Sequence, residues 1–132
     1  MNGMIENRFL LDTNAIIYLT TTGNIIPNSL ENELNKSDLF ISVISEIELF
    51  AKPILSIEEE ESLRAFLSER ITIIELNDII KKEIIALRKN TRHKLPDCFV
   101  AASAIVMNAV LLTADKKLLN LSYPGLRTQN IF

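Results

Sequence analysis

The sequence predicts an α/β protein built as a three-layer α/β/α sandwich, in which helices cover both faces of a central, mostly parallel sheet of four or five strands. Short apolar runs alternate along the chain with longer segments whose apolar residues recur at helical spacing. The short runs are apolar at consecutive positions, which is typical of strands buried on both faces. Because 132 residues, 48% of them hydrophobic, suffice for one globular core, we expect a single domain over residues 1–132.

The predicted strands are short and separated by segments long enough to hold a helix. They cover residues 9–11 (FLL), 39–43 (LFISV), 71–76 (ITIIEL), 110–113 (VLLT) and, in a shorter run, 126–128 (LRT). Strands that alternate with helices in this way form parallel sheets, because each crossover helix returns the chain to the same end of the sheet.

The predicted helices have recognisable starts. An apolar helix follows the first strand and includes Ala15 and Ile16, and residues 56–70 place Leu63 and Leu67 on one face. Residues 77–90 begin with Asn77, a residue type that caps helices. A further helix is expected from residue 95, where a proline suits the first turn.

The overall composition limits the class of protein. A formal charge of −3 neither suggests nor excludes a nucleic-acid partner, since net charge does not report a local basic patch. The single cysteine, Cys98, rules out an internal disulfide, and the first residues lack the pattern of a signal peptide. No apolar run approaches the length of a membrane span. We therefore expect a cytoplasmic protein without a membrane partner.

Carboxylates follow several of the predicted strands. In open parallel sheets, binding sites form beyond the carboxyl ends of the strands, near the point where the strand order reverses. The acids at such positions are Asp12, Glu46, Glu48, Glu75 and Asp115, with Asp97 in the first turn of a helix. Each has a structural alternative, because an acid near a helix N-terminus often only caps it. Spacing alone does not remove Glu75 from the set.

Several carboxylates at one edge of a sheet would repel one another. Two such charges about 4 Å apart repel by roughly 4 kcal/mol at an effective dielectric constant near 20. A bound divalent cation reverses the sign of this interaction. Oxygen ligands without a cysteine and histidine cluster favour Mg²⁺ or Mn²⁺, and such ions support phosphodiester hydrolysis. The pattern therefore suggests a metal-dependent hydrolase.

Four segments of the chain resemble the PIN-domain ribonucleases, and among these the VapC-type toxins of toxin–antitoxin pairs. They are FLLDTN at 9–14, SVISEIEL at 42–49, LPDCFVAASA at 95–104 and LLTAD at 111–115. Their order and spacing span nearly the whole chain, and the resemblance implies a PIN-like sandwich, in agreement with the fold predicted above.

The resemblance also implies a set of site residues. The expected catalytic and metal-ligating residues are Asp12, Glu48, Asp97 and Asp115. Asn14 and Thr113 match polar positions that steady such sites through hydrogen bonds. The glutamate of the family motif precedes a leucine, which selects Glu48 over Glu46, and the motif leaves Glu75 outside the site. Residues 50–53 and Leu118 depart from the usual pattern, which puts substrate choice in doubt more than metal binding.

The expected function is that of an endoribonuclease that depends on Mg²⁺, with Mn²⁺ as a substitute, and acts as the toxin of a toxin–antitoxin pair. Arg92 and Lys94, which flank Asp97 in sequence, are candidates for contacts to the RNA backbone. The resemblance further implies a cognate antitoxin and a homodimer. The alternatives are an inactive PIN-like module that binds protein or RNA and, with a poorer fit, a Mg²⁺-dependent phosphotransfer domain.

Overall fold

The computed structural model describes residues 7–21, 23–53 and 55–132. Its strands are β1 (Arg8–Leu11), β2 (Asp38–Ser42), β3 (Ile71–Ile74), β4 (Val110–Thr113) and β5 (Arg127–Asn130). Its helices are α1 (Thr13–Thr20), α2 (Asn28–Asn35), α3 (Val43–Phe50), α4 (Ile57–Arg70), α5 (Asp78–Asn90), α6 (Leu95–Val106) and α7 (Lys116–Leu119). None of the helices in these ranges is long and apolar enough to cross a membrane.

The five strands form one sheet in the order β3-β2-β1-β4-β5, and every neighbouring pair is parallel. The predicted parallel sheet is therefore confirmed. Strand β1 is central, with Leu10 opposite Phe40 of β2 on one side and Leu111 of β4 on the other. The strand order reverses at β1, so its carboxyl end lies at the kind of switch point where α/β proteins place their sites.

Helices cover both faces of the sheet, which confirms the three-layer arrangement. On one face, residues of α1 to α4 such as Ile16, Leu49 and Leu63 pack against Leu11 in one buried cluster. On the other face, residues of α5 to α7 pack against Leu10 in a second cluster. Successive strand residues point to opposite faces, so both Leu10 and Leu11 are buried, each in a different core.

Helix α6 approaches the sheet closely because the side chains on its inner surface are small. Ala101, Ala102 and Ala104 are buried, and the helix contacts β1, β2 and β4. This close packing directs the first turn of α6 toward the edge where β1 ends. The sequence LPDCFVAASA therefore accounts for both the approach of the helix and the position of Asp97.

Several boundaries differ from the predicted ones. Strand β2 ends at Ser42 because its hydroxyl accepts a hydrogen bond from the Ile44 N–H and begins α3, so Val43 is helical. Strand β3 ends at Ile74, and β5 begins one residue late and extends to Asn130. Helix α2 is absent from the prediction; it begins after Pro27 without a side-chain cap and buries only Leu30 and Leu34.

Helices α4 and α5 each begin one residue after the predicted starts at 56 and 77, and the residues at those positions are their N-caps. The Asn77 side chain accepts a hydrogen bond from the Ile80 N–H at 2.8 Å. Ser56 and Glu59 form a reciprocal capping box: the Ser56 hydroxyl accepts from the Glu59 N–H, and the Glu59 carboxylate accepts from the Ser56 N–H. These bonds satisfy N–H groups that have no partner within the helix.

The capping box makes a testable contribution to stability. We expect Ser56→Ala to lower the free energy of unfolding by about 1 kcal/mol, because it leaves the Glu59 N–H without its protein acceptor. Urea unfolding followed by circular dichroism measures the loss. Ser62→Ala, an exposed substitution inside the same helix, is the matched control and should change stability by less than about 0.5 kcal/mol. Equal effects of the two substitutions would contradict the capping interpretation.

Candidate active site

Asp12 directly follows the central strand, where it is 8% exposed. Its N–H donates to the Leu112 carbonyl oxygen at 3.0 Å, which extends the pairing of β1 with β4. One carboxylate oxygen, Oδ1, accepts a hydrogen bond from the Thr13 N–H at 2.8 Å. The other, Oδ2, accepts from the Thr113 hydroxyl at 2.9 Å. The strand ends therefore fix the position and orientation of this carboxylate.

A short chain of hydrogen bonds places Asp115 beside Asp12. The Thr113 hydroxyl that donates to Asp12 also accepts from the Asp115 N–H at 3.0 Å. The Asn14 side-chain oxygen accepts from the Ala114 N–H at 2.9 Å and so ties α1 to the segment that follows β4. Asn14 and Thr113 thus make hydrogen bonds of the kind that the family resemblance implies for these positions.

Glu48 and Asp97 reach the same edge from two helices. Helix α3 begins where β2 ends, beside β1, and carries Glu48 on an exposed part of its surface. Asp97 lies in the first turn of α6, where it is partly buried and where the helix dipole favours an acid. Two strand ends and two helices therefore supply the four acids.

The pKa values of three acids show that these carboxylates act on one another. Burial raises the pKa of Asp12, the charges of Asp115 and Asp97 raise it further, and the hydrogen bonds from Thr13 and Thr113 oppose the shift. Partial burial raises the pKa of Glu48, and Asp12 and Asp97 add to the effect. Burial and the charge of Asp115 raise the pKa of Asp97. The four acids form one electrostatic group.

Glu46 and Glu75 belong to other surroundings. Glu46 lines a groove between α3, α4 and β3, together with Phe50 and Arg64. Glu75 follows β3, the outermost strand on that side, which β2 separates from β1. The geometry thus separates Glu48 from Glu46, a distinction that spacing alone left open.

Two of the four acids, Asp12 and Asp115, also cap helices. Asp12 is the N-cap of α1, and Asp115 caps α7 by accepting from the Lys117 N–H at 2.9 Å. A carboxylate has about four lone-pair sites on its two oxygens, so one capping bond leaves capacity for other partners. Capping and ligand binding are therefore compatible roles for Asp12 and Asp115.

The donor chemistry of the group fits a hard divalent cation. All four side chains offer carboxylate oxygens, and the raised pKa values of Asp12, Glu48 and Asp97 show an excess of negative charge that a cation would relieve. Within the described residues, no three Asp, Glu, His or Cys side chains form a ready coordination shell. Mg²⁺ commonly takes only one or two carboxylates directly and keeps several waters, so it does not need such a shell.

Two buried hydroxyls near these acids support the same interpretation. Across the ranges that the structure describes, the buried side-chain atoms without a hydrogen-bond partner are Thr13 Oγ1 and Ser45 Oγ. Thr13 is adjacent to Asp12, and Ser45 lies one turn before Glu48 on α3. Buried polar groups normally find a partner in protein, water or an ion. Each of these hydroxyls thus lies within three residues of an acid of the group.

Exposed lysines surround the acidic group. Lys94, the N-cap residue of α6, and Lys117 of α7 lie close enough to Asp97 to lower its pKa, and His93 does the same. Lys52 acts in this way on Glu48. The sequence-based prediction named Arg92, which is exposed, and Lys94 but omitted Lys52 and Lys117. Lys52 lies four residues after Glu48, and Lys117 lies two residues after Asp115. This spacing is the signal in the sequence that could have identified both lysines.

Comparison with known proteins identifies the family of this arrangement. The family model of the PIN domain matches residues 9–122, which include all four acids. A comparison with curated protein sequences finds no match.

Several solved structures share the fold and a measurable part of the sequence. The structure of VapBC2 from Rickettsia felis bound to a fragment of promoter DNA contains a chain that is 26% identical, with a TM-score of 0.75; the match covers 93% of this chain and 98% of that one. VapBC-1 from nontypeable Haemophilus influenzae gives 28% identity, a TM-score of 0.70, and coverage of 93% and 97%. A toxin–antitoxin complex from Klebsiella pneumoniae gives 28% identity, a TM-score of 0.67, and coverage of 89% and 93%.

The raised pKa of Asp12 makes a prediction about stability in metal-free protein. The folded-state pKa lies above the ordinary value of 3.8, so ionised Asp12 destabilises the fold at neutral pH. We expect Asp12→Asn in EDTA to raise the free energy of unfolding at pH 8, because it removes the cost of burying the charge. The gain should shrink as the pH falls through the raised pKa and vanish near the ordinary value. Urea unfolding at several pH values measures it.

The control for this prediction is Asp38→Asn, which removes an exposed acid from the opposite end of the sheet. Its effect on stability should be small and should not follow the pattern of Asp12→Asn. An Asp12→Asn protein that is less stable than the parent at pH 8 would show that the hydrogen bonds to this carboxylate outweigh the cost of burying its charge.

Proposed function

The chain belongs to the PIN-domain family, and on that basis we propose that it is a divalent-metal-dependent endoribonuclease that acts as the toxin of a toxin–antitoxin pair. PIN domains of VapC toxins are nucleases that generally use divalent metals. The observation that carries the proposal is the convergence of Asp12, Glu48, Asp97 and Asp115 into one electrostatic group at the switch point of the sheet.

The four acids share one proposed role, which is to hold the metal. Asp12, Glu48, Asp97 and Asp115 hold one or two Mg²⁺ ions, or Mn²⁺ in their place. Bound there, such an ion would supply activation of a water and stabilisation of negative charge for phosphodiester hydrolysis. Thr113 keeps the Asp12 carboxylate in one orientation through its 2.9 Å hydrogen bond, and its bond from the Asp115 N–H holds that acid at the edge. Asn14 accepts a hydrogen bond from the Ala114 N–H and so restrains the segment between Thr113 and Asp115.

The partners follow from the same assignment. The similar chains from Rickettsia felis and Haemophilus influenzae are parts of VapBC structures, which supports a cognate antitoxin for this protein. A homodimer and a cytoplasmic location belong to the proposal as implications of the family. RNA is the proposed substrate, with Arg92 and Lys94 as contacts to its backbone; both are exposed next to the helix that carries Asp97.

The test of the proposal is cleavage of structured RNA by purified protein in Mg²⁺, in Mn²⁺ and in EDTA. We expect cleavage with either metal and none in EDTA, and Asp97→Asn should lower the rate by on the order of a hundredfold or more, since removing even a neighbour of a metal ligand costs about 10- to 100-fold. Glu75→Gln is the matched control, because it neutralises an exposed acid outside the group and should keep the parent's rate.

Preparing Asp97→Asn in the same way as the parent reveals any contaminating nuclease. Full activity of the purified Asp97→Asn protein would refute the assignment. A folded protein that binds metal but cleaves none of the RNAs would favour the alternative of a PIN-like binding module. Membership in the PIN family leaves the phosphotransfer alternative without support.

Helix α3 provides a second comparison within one element. Glu46 and Glu48 are two residues apart, and the charges of Asp12 and Asp97 raise the pKa of Glu48, whereas Glu46 lines a groove with Phe50 and Arg64. We expect Glu48→Gln to abolish most cleavage and Glu46→Gln to leave it within about twofold of the parent. Cleavage rates at saturating Mg²⁺ measure both, with circular dichroism to show that each variant is folded. Greater loss with Glu46→Gln would assign the metal to the other side of α3.

A further inference from the structure

Three exposed lysines lie near the acidic group without forming ion pairs with it. The ion pairs found in the described ranges are Arg64–Glu60 and Lys81–Asp78, and neither includes Lys52, Lys94 or Lys117. Lys52 also borders a groove that contains Glu58 and Glu59, yet it is paired with neither. The lysines are thus close enough to lower the pKa values of Glu48 and Asp97, and their ammonium groups remain available for hydrogen bonds.

Lys52 and Lys117 lie at opposite ends of the acidic group. Lys52 comes just after α3, which continues from β2, and its charge acts on Glu48. Lys117 lies in α7, which follows β4, and its charge acts on Asp97. Strand β1, with Asp12 at its end, runs between β2 and β4. Lys52 lies four residues after Glu48, and the Lys117 N–H donates to Asp115 Oδ1, so the two lysines are next to acids that reach Asp12 from the β2 side and from the β4 side.

We propose that Lys52 and Lys117 bind RNA phosphates on the two sides of the scissile phosphate and so align the strand across the acidic group. The inference rests on the proposed ribonuclease function and adds two substrate-positioning residues to it. A polyanion that approaches four carboxylates is repelled by them, and cations at both ends of the group offset this repulsion along the path of the strand. The lysines hold phosphates as point charges, independently of base sequence.

The backbone of Lys117 is hydrogen-bonded to the acidic group. Its N–H donates to Asp115 Oδ1 at 2.9 Å, and the Asp115 N–H donates to the Thr113 hydroxyl that also binds Asp12. The backbone from which Lys117 extends is therefore connected to the central carboxylate by three hydrogen bonds. The Lys117 side chain is exposed, and the backbone that carries it is hydrogen-bonded to the acidic group.

The test measures how RNA binding depends on salt. Each protein carries Asp12→Asn, which blocks cleavage under the proposed function and leaves Glu48 and Asp97, the acids next to the lysines, intact. Fluorescence anisotropy of a labelled single-stranded RNA in Mg²⁺, between about 50 and 200 mM NaCl, gives the slope of log affinity against log salt. Each phosphate contact on a single strand contributes about 0.7 to the magnitude of this slope.

We expect Lys52→Gln and Lys117→Gln each to reduce the slope by about 0.7, and the double variant to reduce it by about 1.4. Arginine at either position should restore the slope, since it keeps the charge. Lys36→Gln is the matched control: Lys36 is exposed and directly precedes the start of β2, at the opposite edge of the sheet, so its removal should not change the slope.

Slopes for Lys52→Gln and Lys117→Gln equal to that of Lys36→Gln would overturn the inference. The same holds if the variants lose thermal stability with an unchanged slope, because the lysines then only offset repulsion among the acids, and also if the starting protein does not bind RNA. Failure of the ribonuclease function is a separate result: the protein without Asp12→Asn would then cleave no RNA, whatever the slopes are.

Discussion

The hydrogen bond from the Thr113 hydroxyl to Asp12 Oδ2 joins two strand ends that are 101 positions apart in the sequence. It orients a buried carboxylate, and through the second bond of the same hydroxyl it positions the segment that carries Asp115. The rest of the site depends on this junction, because Glu48 and Asp97 complete the group only if Asp12 is held at the centre. A strand order with β1 between β2 and β4 is the topological condition for that arrangement.

The same junction concentrates unfavourable electrostatics in the fold. Three carboxylates have pKa values raised by burial and by one another, and two buried hydroxyls nearby lack partners. A fold selected for stability alone would replace such groups by apolar or paired ones, so their presence together is typical of a site that binds something. Two packed cores, one on each face of the sheet, bury apolar side chains whose hydrophobic stabilisation offsets this cost.

Much of this arrangement could be predicted because it depends on local patterns. Consecutive apolar residues indicated the buried strands, and Asp12 and Asp115 drew attention because they follow such strands. Glu46 and Glu48 could not be separated by spacing, since which face of α3 meets the acids depends on how the helix packs. Helix α2 lacks a side-chain cap and buries only two leucines, and β5 is a polar edge strand, so neither gave a clear periodic signal.

The pairing of β1 with β4 also has a consequence for the order in which the protein forms. Strand β1 is synthesised before β4, its neighbour on one side, and the Thr113 hydroxyl that orients Asp12 follows that residue only after 101 further positions. At about 5–20 residues per second, synthesis of that interval takes on the order of 5–20 s. Contacts so distant in sequence also form slowly, because closing the long loop between them costs entropy. The acidic centre therefore assembles only after β4 has been synthesised, and a nascent chain carries Asp12 for seconds without the rest of the site.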